Sequence, residues 1–176
     1  MAEHTLGVEI VTPEEALFSG EATALLTATT LGDLTIMADH AELIGDVAPG
    51  VVRIETPDGE TLSIAVHGGF LQVTTAPGAA AGLVEGVTTT ERTTRATILA
   101  GIAEFASAID INRAELAKSA AEARLAELRA QGGRGTGAAA GEHEEASEHF
   151  LELAVAEAAL ARAELRLSSA SPLGLH

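Results

Sequence analysis

The chain has 176 residues, enough for one domain or two small ones. Its formal net charge is −16 and aromatic residues make up only 2% of it, which argues against nucleic acid or anionic lipid as partners. With no cysteine, disulfides and thiolate chemistry are excluded. The N-terminus lacks the pattern of a signal peptide, and no apolar run approaches the ~20 residues that cross a bilayer, so we expect membrane contact only through partner proteins.

Residues up to about 105 have the pattern of short strands separated by turns. In the first segment, HTLGVEIVT, alternation places Leu6, Val8 and Ile10 on one face. The clearest turn is TPDGE, residues 56–60, because its proline presets φ and its Asp-Gly pair tolerates the left-handed region. The pair Gly68-Gly69 predicts a strand bend or a close backbone approach. The pattern indicates a β-sandwich or barrel, with further strand-like segments at ATALLTATT, DLTIMA, GVVRIET, TLSIAVHG and GFLQVTT.

From Asp110 onward the apolar period becomes helical. Asp110 suits the N-cap position, a contribution of roughly 1 kcal/mol, and Gly132-Gly133 suits the C-terminal exit. A second helix is predicted to begin near Glu142. The two helices predict an antiparallel hairpin with a thin, alanine-rich seam, which we expect to detach or rearrange. Its predicted seam residues are Ile111, Ala114, Ala117, Ala121, Leu125 and Leu128 in the first helix, and Leu153, Ala156, Leu160, Ala163 and Leu167 in the second.

Motifs that carry chemistry are missing from the sequence. GRGTGAAAG lies between two predicted helices rather than after a strand, which favours a linker over a dinucleotide-binding loop. HGGF at His67 is not accompanied by a G-x-S-x-G nucleophile elbow. The histidines form no H-x-x-x-H pair, so no metal site is predicted; they are His4, His40, His67, His143, His149 and His176. We therefore predict no catalytic or metal site.

The order of several segments resembles the epsilon subunit of the rotary ATP synthase. The first is VTPEEALFSGEA, residues 11–22, and the most characteristic is LGDLTIMADHAELIGDVAPGVVRI, residues 31–54. HGGFLQV, then ATILAGIAEFASAIDINRAELAKSAAEARL, and finally ARAELRL follow in the family's order. The ordered combination covers nearly the whole chain and is specific, although no single segment is.

The resemblance implies an α+β fold: a ten-stranded β-sandwich at residues 1–105, docking on the gamma subunit and the c-ring, and a regulatory antiparallel two-helix hairpin at 106–176. It implies a non-catalytic central-stalk subunit that couples proton-driven rotation to ATP synthesis. An extended hairpin would reach the alpha/beta catalytic head and restrain ATP hydrolysis. The expected location is the cytoplasmic face of the bacterial cell membrane, peripherally, within the complex. Alternatives are a free-standing ATP-sensing module and an acidic β-sandwich scaffold.

The resemblance also selects candidate site residues. Asp33 and His40 fall where the family's turns approach the c-ring and gamma; otherwise they are a turn residue and a surface histidine. Some bacterial members of the family bind ATP through an I/L-D-x-x-R-A motif, and the resemblance matches it to Ile109, Asp110, Arg113 and Ala114. Those members also have an upstream acid, which corresponds to Glu104, and two later arginines, which correspond to Arg162 and Arg166. ATP is then a regulatory ligand and no cofactor is required. The alternative is that Asp110 only caps its helix and the arginines serve packing or partner contacts.

The chain departs from the family pattern at several places. Ala120 stands where nucleotide-binding members have a further arginine, which would weaken any site. Ala38-Asp39-His40 replaces a Pro-Gly-His, making that loop less rigid and more acidic. The hairpin at roughly 76–95 is longer, and the helix connection, 131–148, is extended and glycine-rich. A longer linker raises the closure cost by only about 0.6 kcal/mol per doubling, so the hairpin can still close.

Overall fold

The computed structural model describes residues 5–77, 92–132 and 142–170. The chain divides into two compact units, Met1–Ala108 and Ile109–His176, here called the sandwich unit and the hairpin unit. The predicted fold class is confirmed, with ten strands followed by two helices. Among the helical residues that the structure describes, none forms a stretch long and apolar enough to span a membrane.

The described residues of the sandwich unit form ten strands, and the unit ends in a 3-10 turn, Ala106–Ala108. The strands are β1 Leu6–Val11, β2 Ala16–Ala22, β3 Ala24–Thr29, β4 Gly32–Ile36, β5 Leu43–Val47, β6 Gly50–Glu55, β7 Thr61–Val66, β8 Gly69–Pro77, β9 Arg92–Ala100 and β10 Ala103–Phe105.

The strands form one sheet that folds over at β3. Its order is β10-β7-β6-β3-β5-β8-β9-β1-β2, and β4 branches from β3. A single register pair, Thr29 with Val47, joins β3 to β5 and so links the two halves. Buried side chains from both halves nevertheless form one core, so the halves stack as a sandwich. Its largest fully buried members are aliphatic: Leu6, Ile10, Leu25, Ile36, Ile54, Ile64, Leu71 and Ile98.

Local sequence signals in the sandwich unit are confirmed. Leu6, Val8 and Ile10 are buried on one face of β1. The turn at residues 56–60 joins β6 to β7, with Gly59 at φ +82° and its N–H donating to the carbonyl of Thr56 over 3.0 Å. The predicted hairpin at 76–95 requires a correction of its bounds, because the β8–β9 ladder continues to the pair Pro77–Arg92. Residues 78–91 of that hairpin lie outside the described residues.

The sequence predicts a strand bend or a close backbone approach at the two glycines after His67, and the structure gives one feature at each. Gly68 adopts φ +97°, a conformation that disfavours any side chain. Gly69 opens β8 directly against β9: a Cβ there would lie 2.2 Å from the carbonyl oxygen of Leu99. Only glycine permits this approach of the two backbones.

The hairpin unit consists of α1, Ile111–Gly132, and α2, Glu142–Ala170. The helices are antiparallel, since Lys118 near the start of α1 lies 3.3 Å from Glu164 near the end of α2, while Arg129 near the end of α1 lies 3.5 Å from Glu157. The predicted N-cap is confirmed: Asp110 Oδ1 accepts the backbone N–H of Arg113 over 3.0 Å. The connection predicted at 131–148 is shorter than expected, because α1 runs to residue 132 and α2 begins at 142; residues 133–141 lie outside the described part of the chain.

The seam of α2 follows the prediction, whereas that of α1 differs at two positions. Ala117 is exposed and Ile111 is about half exposed, so neither is packed in the seam. The buried residues are Ala114, Ala121, Leu125 and Leu128, and alternating steps of three and four place Lys118, not Ala117, in register with them. Lys118 fits because its stem can pack while its ammonium reaches Glu164.

Packing along the seam is uneven. Leu125, Leu128 and Ala156 form a small core with Leu153 and Leu160 in the half of the hairpin next to the helix connection. In the other half the buried seam residues are Ala114, Ala121 and Ala163. Each alanine in place of a leucine forgoes about 2 kcal/mol of burial, so this half is held more weakly.

Replacing Gly69 by alanine should destabilise the sandwich unit by about 1–3 kcal/mol or more, because the new methyl group must push β8 away from the β9 backbone. Urea unfolding of the full chain measures this. Gly45→Ala on β5 is the control, since a Cβ there meets Leu43 Cδ1 at an ordinary 3.9 Å. Equal stability of the two variants would contradict the close approach.

Candidate functional site

An apolar patch lies on the outer face of the sandwich unit. It consists of Ile44 on β5, Phe70 on β8 and Leu99 on β9, all exposed; Phe70 retains 60% of its accessible surface. Phe70 is the direct register partner of Leu99 across the β8–β9 ladder, and of Asp46 across β5–β8. Ile44 is two residues from Asp46 and so shares its face. We call these three residues the outer patch.

A fully exposed leucine stands at one end of the same unit. Leu31, 99% exposed, forms the tip of the β3–β4 turn. The turn is held by Thr29, whose Oγ1 donates to the carbonyl of Gly32 over 2.7 Å and accepts the N–H of Leu31 over 3.2 Å. The register runs across the sheet from Thr29 through Val47 and Gly69 to Ala100, so this end of the unit is also where Phe70 and Leu99 lie.

The two predicted interface residues lie at opposite ends of β4. Asp33 is exposed near the Leu31 tip and pairs in register with Ala28. His40 follows the other end of the strand, where its Nδ1 lies 2.8 Å from the carbonyl oxygen of Ala41. Its neighbour Asp39 has φ +61° and donates its N–H to Thr94 Oγ1 over 2.8 Å. Asp33 therefore lies at the end of the sandwich unit that carries Leu31, whereas His40 does not.

Sequence reasoning did not single out Leu31, Ile44, Phe70 or Leu99 by number. Alternation alone marks Phe70 and Leu99 as outward-facing once Leu71 and Ile98 are assigned to the core. Leu31 had a signal too, as a large apolar residue between Thr30 and Gly32 in a turn.

Glu104, the predicted upstream acid of a nucleotide site, lies on β10 in the sandwich unit. Its register partner is Ala65 on β7. Its Oε1 lies 3.8 Å from Nε2 of His67, whose side chain is 7% exposed, while that of Glu104 is 27% exposed. Glu104 therefore contacts His67 within the sandwich unit.

The motif residues at the start of α1 have distinct structural roles. Asp110 caps the helix. Ala114 is buried in the seam, and its N–H donates to the carbonyl of Asp110 over 3.0 Å. Ile109 is half-buried, whereas Arg113 is exposed. Folding of the hairpin thus accounts for Asp110 and Ala114, but it gives no reason for an arginine at 113.

A shallow apolar groove of about 660 Å³ runs along one face of the hairpin unit. The side chains of Arg124 and Glu152, 3.2 Å apart, bridge it. Ala120 is in the lining. Its other lining residues are Ala117, Ala121, Leu151, Val155, Ala156 and Ala159.

None of the three candidate arginines is among the residues that line this groove, but helical spacing puts them on its face. Arg113 is one turn before Ala117 on α1, and Arg162 and Arg166 follow Ala159 at helical spacings on α2. The contact between Lys118 and Glu164 fixes their levels along the hairpin: Arg166 lies on the Arg113 side of it, and Arg162 lies on the other side. Glu104 belongs to the other unit. Among the described residues, no group of three or more His, Cys, Asp or Glu side chains could hold a metal ion.

Comparisons with known proteins agree on one family. The β-sandwich domain of the ATP synthase delta/epsilon chain matches residues 5–77. The ATP synthase epsilon chain of Pelotomaculum thermopropionicum is 36% identical over 126 residues, covering 72% of this chain and 80% of the relative. That of Streptomyces griseus is 38% identical over 122 residues, covering 67% and 84%.

A solved structure shares the fold. One chain of the Euglena gracilis mitochondrial ATP synthase, determined as OSCP/F1/c-ring in rotational state 1, superposes with a TM-score of 0.60 at 16% identity, covering 92% of this chain and 79% of that one. At that identity the likeness supports the fold alone. The identities to curated relatives carry the assignment: the chain belongs to the family of ATP synthase epsilon chains, non-catalytic subunits of the ATP synthase complex.

Proposed function

We propose that the sandwich unit docks on the gamma subunit through the outer patch and thereby couples rotation of the central stalk to ATP synthesis. The observation that carries this proposal is the cluster of Ile44, Phe70 and Leu99 on an outward sheet face. A large contiguous apolar surface on a folded protein marks an interaction site. Phenylalanine at the centre and Asp46 beside it match the usual arrangement of an apolar interface core with a polar rim.

The Leu31 end of the sandwich unit is our proposed contact with the c-ring. A leucine exposed on all sides, on a turn held by two Thr29 hydrogen bonds, is pre-organised to insert between apolar side chains. Asp33 beside it supplies a polar rim. His40 lies at the other end of β4, so its proposed contact is with gamma rather than with the c-ring.

The hairpin unit is our proposed regulatory element. Its weakly packed half, around Ala114, Ala121 and Ala163, adjoins the chain segment that leads from the sandwich unit. The charge pairs between its helices are exposed, and such pairs contribute little each. A hairpin held this loosely can exchange its own contacts for those of the alpha/beta head, where it would restrain ATP hydrolysis.

The proposed location follows from these partners. A subunit held by gamma and the c-ring lies peripherally at the cytoplasmic face of the bacterial cell membrane, and contacts the membrane only through the complex. The acidic surface, net charge −16, supports this because it would be repelled by anionic lipid. It likewise argues against nucleic acid as a partner.

Truncating Phe70 should weaken binding to gamma. Phe70→Ala removes the proposed interface anchor, and we expect the dissociation constant of the purified chain for the gamma subunit to rise about tenfold or more, as for a typical hot spot. Surface-immobilised gamma and optical biosensing measure this.

Phe150→Ala is the matched control for that measurement, because Phe150 is a comparably exposed phenylalanine on the hairpin unit. It should leave the affinity within about twofold. Equal losses in the two variants, or none in Phe70→Ala, would remove the outer patch from the gamma interface.

A second candidate function is regulatory ATP binding by the hairpin unit. What favours it is the helical spacing that puts Arg113, Arg162 and Arg166 on the face of the groove, since charge-assisted bonds from arginines suit phosphate oxygens. The groove's volume falls within the range of small-molecule sites. Ala120 in the lining leaves one arginine fewer, so we propose weak binding.

Calorimetry with ATP tests this second function. We expect the Kd to rise about tenfold in Arg113→Ala, which removes one charge-assisted bond, and to fall in Ala120→Arg. Arg129→Ala, at the other end of the hairpin, is the control and should change nothing. If millimolar ATP gives no binding heat, or if Arg129→Ala loses as much ATP affinity as Arg113→Ala, the proposal of an ATP site is wrong. Asp110 is then only a helix cap, and the arginines serve packing or partner contacts.

A further inference from the structure

An exposed acid stands at one end of a row of apolar side chains that crosses the outer patch. Asp46 on β5 pairs in register with Phe70 on β8, and Phe70 pairs with Leu99 on β9. The row continues to Val11 on β1, the register partner of Leu99 in the parallel β1–β9 ladder. Register partners share one face of a sheet, so one carboxylate is followed by three apolar side chains on this face.

The charge of Asp46 is not balanced within the described structure. Glu9, two residues before Val11 on the same face, has its own cation, since its Oε1 accepts a hydrogen bond from the Arg95 guanidinium. Asp46 is exposed, and its carboxylate makes no hydrogen bond or ion pair with any other described residue. A negative charge without a cation therefore lies directly beside the phenylalanine of the outer patch.

Docking on the outer patch would remove water from this carboxylate. Opposite residues in a sheet have Cβ atoms about 4.5–5.5 Å apart, so a surface that covers Phe70 also reaches Asp46. A carboxylate that loses water without gaining a cation weakens binding. A partner that covers Phe70 must therefore bring a positive charge to Asp46.

We propose that Asp46 and Phe70 together bind an arginine side chain of the gamma subunit. This inference rests on the proposed docking of gamma on the outer patch. A planar guanidinium can bond both oxygens of a carboxylate and stack on an aromatic ring, whereas the compact ammonium of lysine has no flat face. Arginine is also enriched in protein interfaces, and lysine is depleted there.

An arginine held by Asp46 sets the orientation of gamma on the sandwich unit. The apolar contacts of Phe70 and Leu99 are non-directional and allow gamma to turn or slide. A bidentate bond to a carboxylate has a defined geometry. Since Asp46 lies at one end of the row and Val11 at the other, the bond distinguishes the two ends. Asp46 is then the residue that makes docking specific, and Phe70 supplies most of the buried surface.

Biosensor measurements of the full chain on immobilised gamma test the arginine site. Asp46→Asn keeps the size of the side chain and removes its charge, so we expect the Kd to rise about tenfold or more, mainly through faster dissociation. Asp46→Lys should lose more affinity, because two cations then meet. Asp58→Asn is the matched control, the same change in the exposed β6–β7 turn, and should leave the Kd within about twofold.

An alanine scan of the arginines and lysines of gamma identifies the bound side chain. We expect one arginine whose replacement weakens binding to the wild-type chain about tenfold, but weakens binding to the Asp46→Asn chain less than twofold. Coupling to a lysine alone, or to no cation of gamma, would overturn the arginine site.

The two variants of the outer patch separate this inference from the docking proposal. If Phe70→Ala lowers the affinity for gamma and Asp46→Asn does not, the arginine site is wrong and the outer patch remains the docking surface. If neither variant lowers it, both proposals are wrong. A loss in Asp46→Asn that appears only as slower association and vanishes at high salt also overturns the site, because a charge outside the contact only steers the encounter.

Discussion

The close approach of the β8 and β9 backbones at Gly69 is the constraint on which the proposed docking surface depends. Without a side chain at that position, the ladder begins at the pair Gly69–Ala100 and then runs in register. The pleat directs Leu71 and Ile98 into the core and turns Phe70 and Leu99 outward, side by side. A shift of one residue would exchange the two sets, burying the patch and exposing the core.

The two units differ in how strongly they are packed, and this difference matches their proposed roles. The sandwich core is built from large aliphatic side chains drawn from both halves of the sheet. The hairpin seam has a leucine core in one half and alanines in the other. A unit that transmits torque must resist deformation, whereas a unit that regulates must change its contacts at small cost.

Much of this arrangement could be predicted from the sequence, and the failures have identifiable physical causes. Alternation in β1 and the turn at 56–60 are local signals, and the structure confirms both. β2 and β5, ALFSGEA and LIGDV, were not singled out because their glycines and acids are poor strand formers; their neighbours impose the strand through register pairing. In α1, alanine composition favoured Ala117 for the seam, but the seam geometry selects Lys118.

The candidate site was only partly accessible to sequence reasoning. Asp110 as a helix cap is a local effect and was predicted. The contact of Glu104 with His67 joins residues far apart in the chain through β7–β10 pairing, which no local pattern reveals. The outer patch needs the register of three strands before its members become neighbours.

The division of labour between the two units is the central claim, and one reconstitution tests it most directly. An ATP synthase lacking this subunit would be supplied with either the full chain or a chain ending at residue 108, and ATP-driven proton pumping and ATP hydrolysis would be measured together. The account predicts that both chains restore pumping and that only the full chain restrains hydrolysis. Loss of pumping with the shorter chain, once circular dichroism shows that it is folded, would contradict the account by placing coupling in the hairpin.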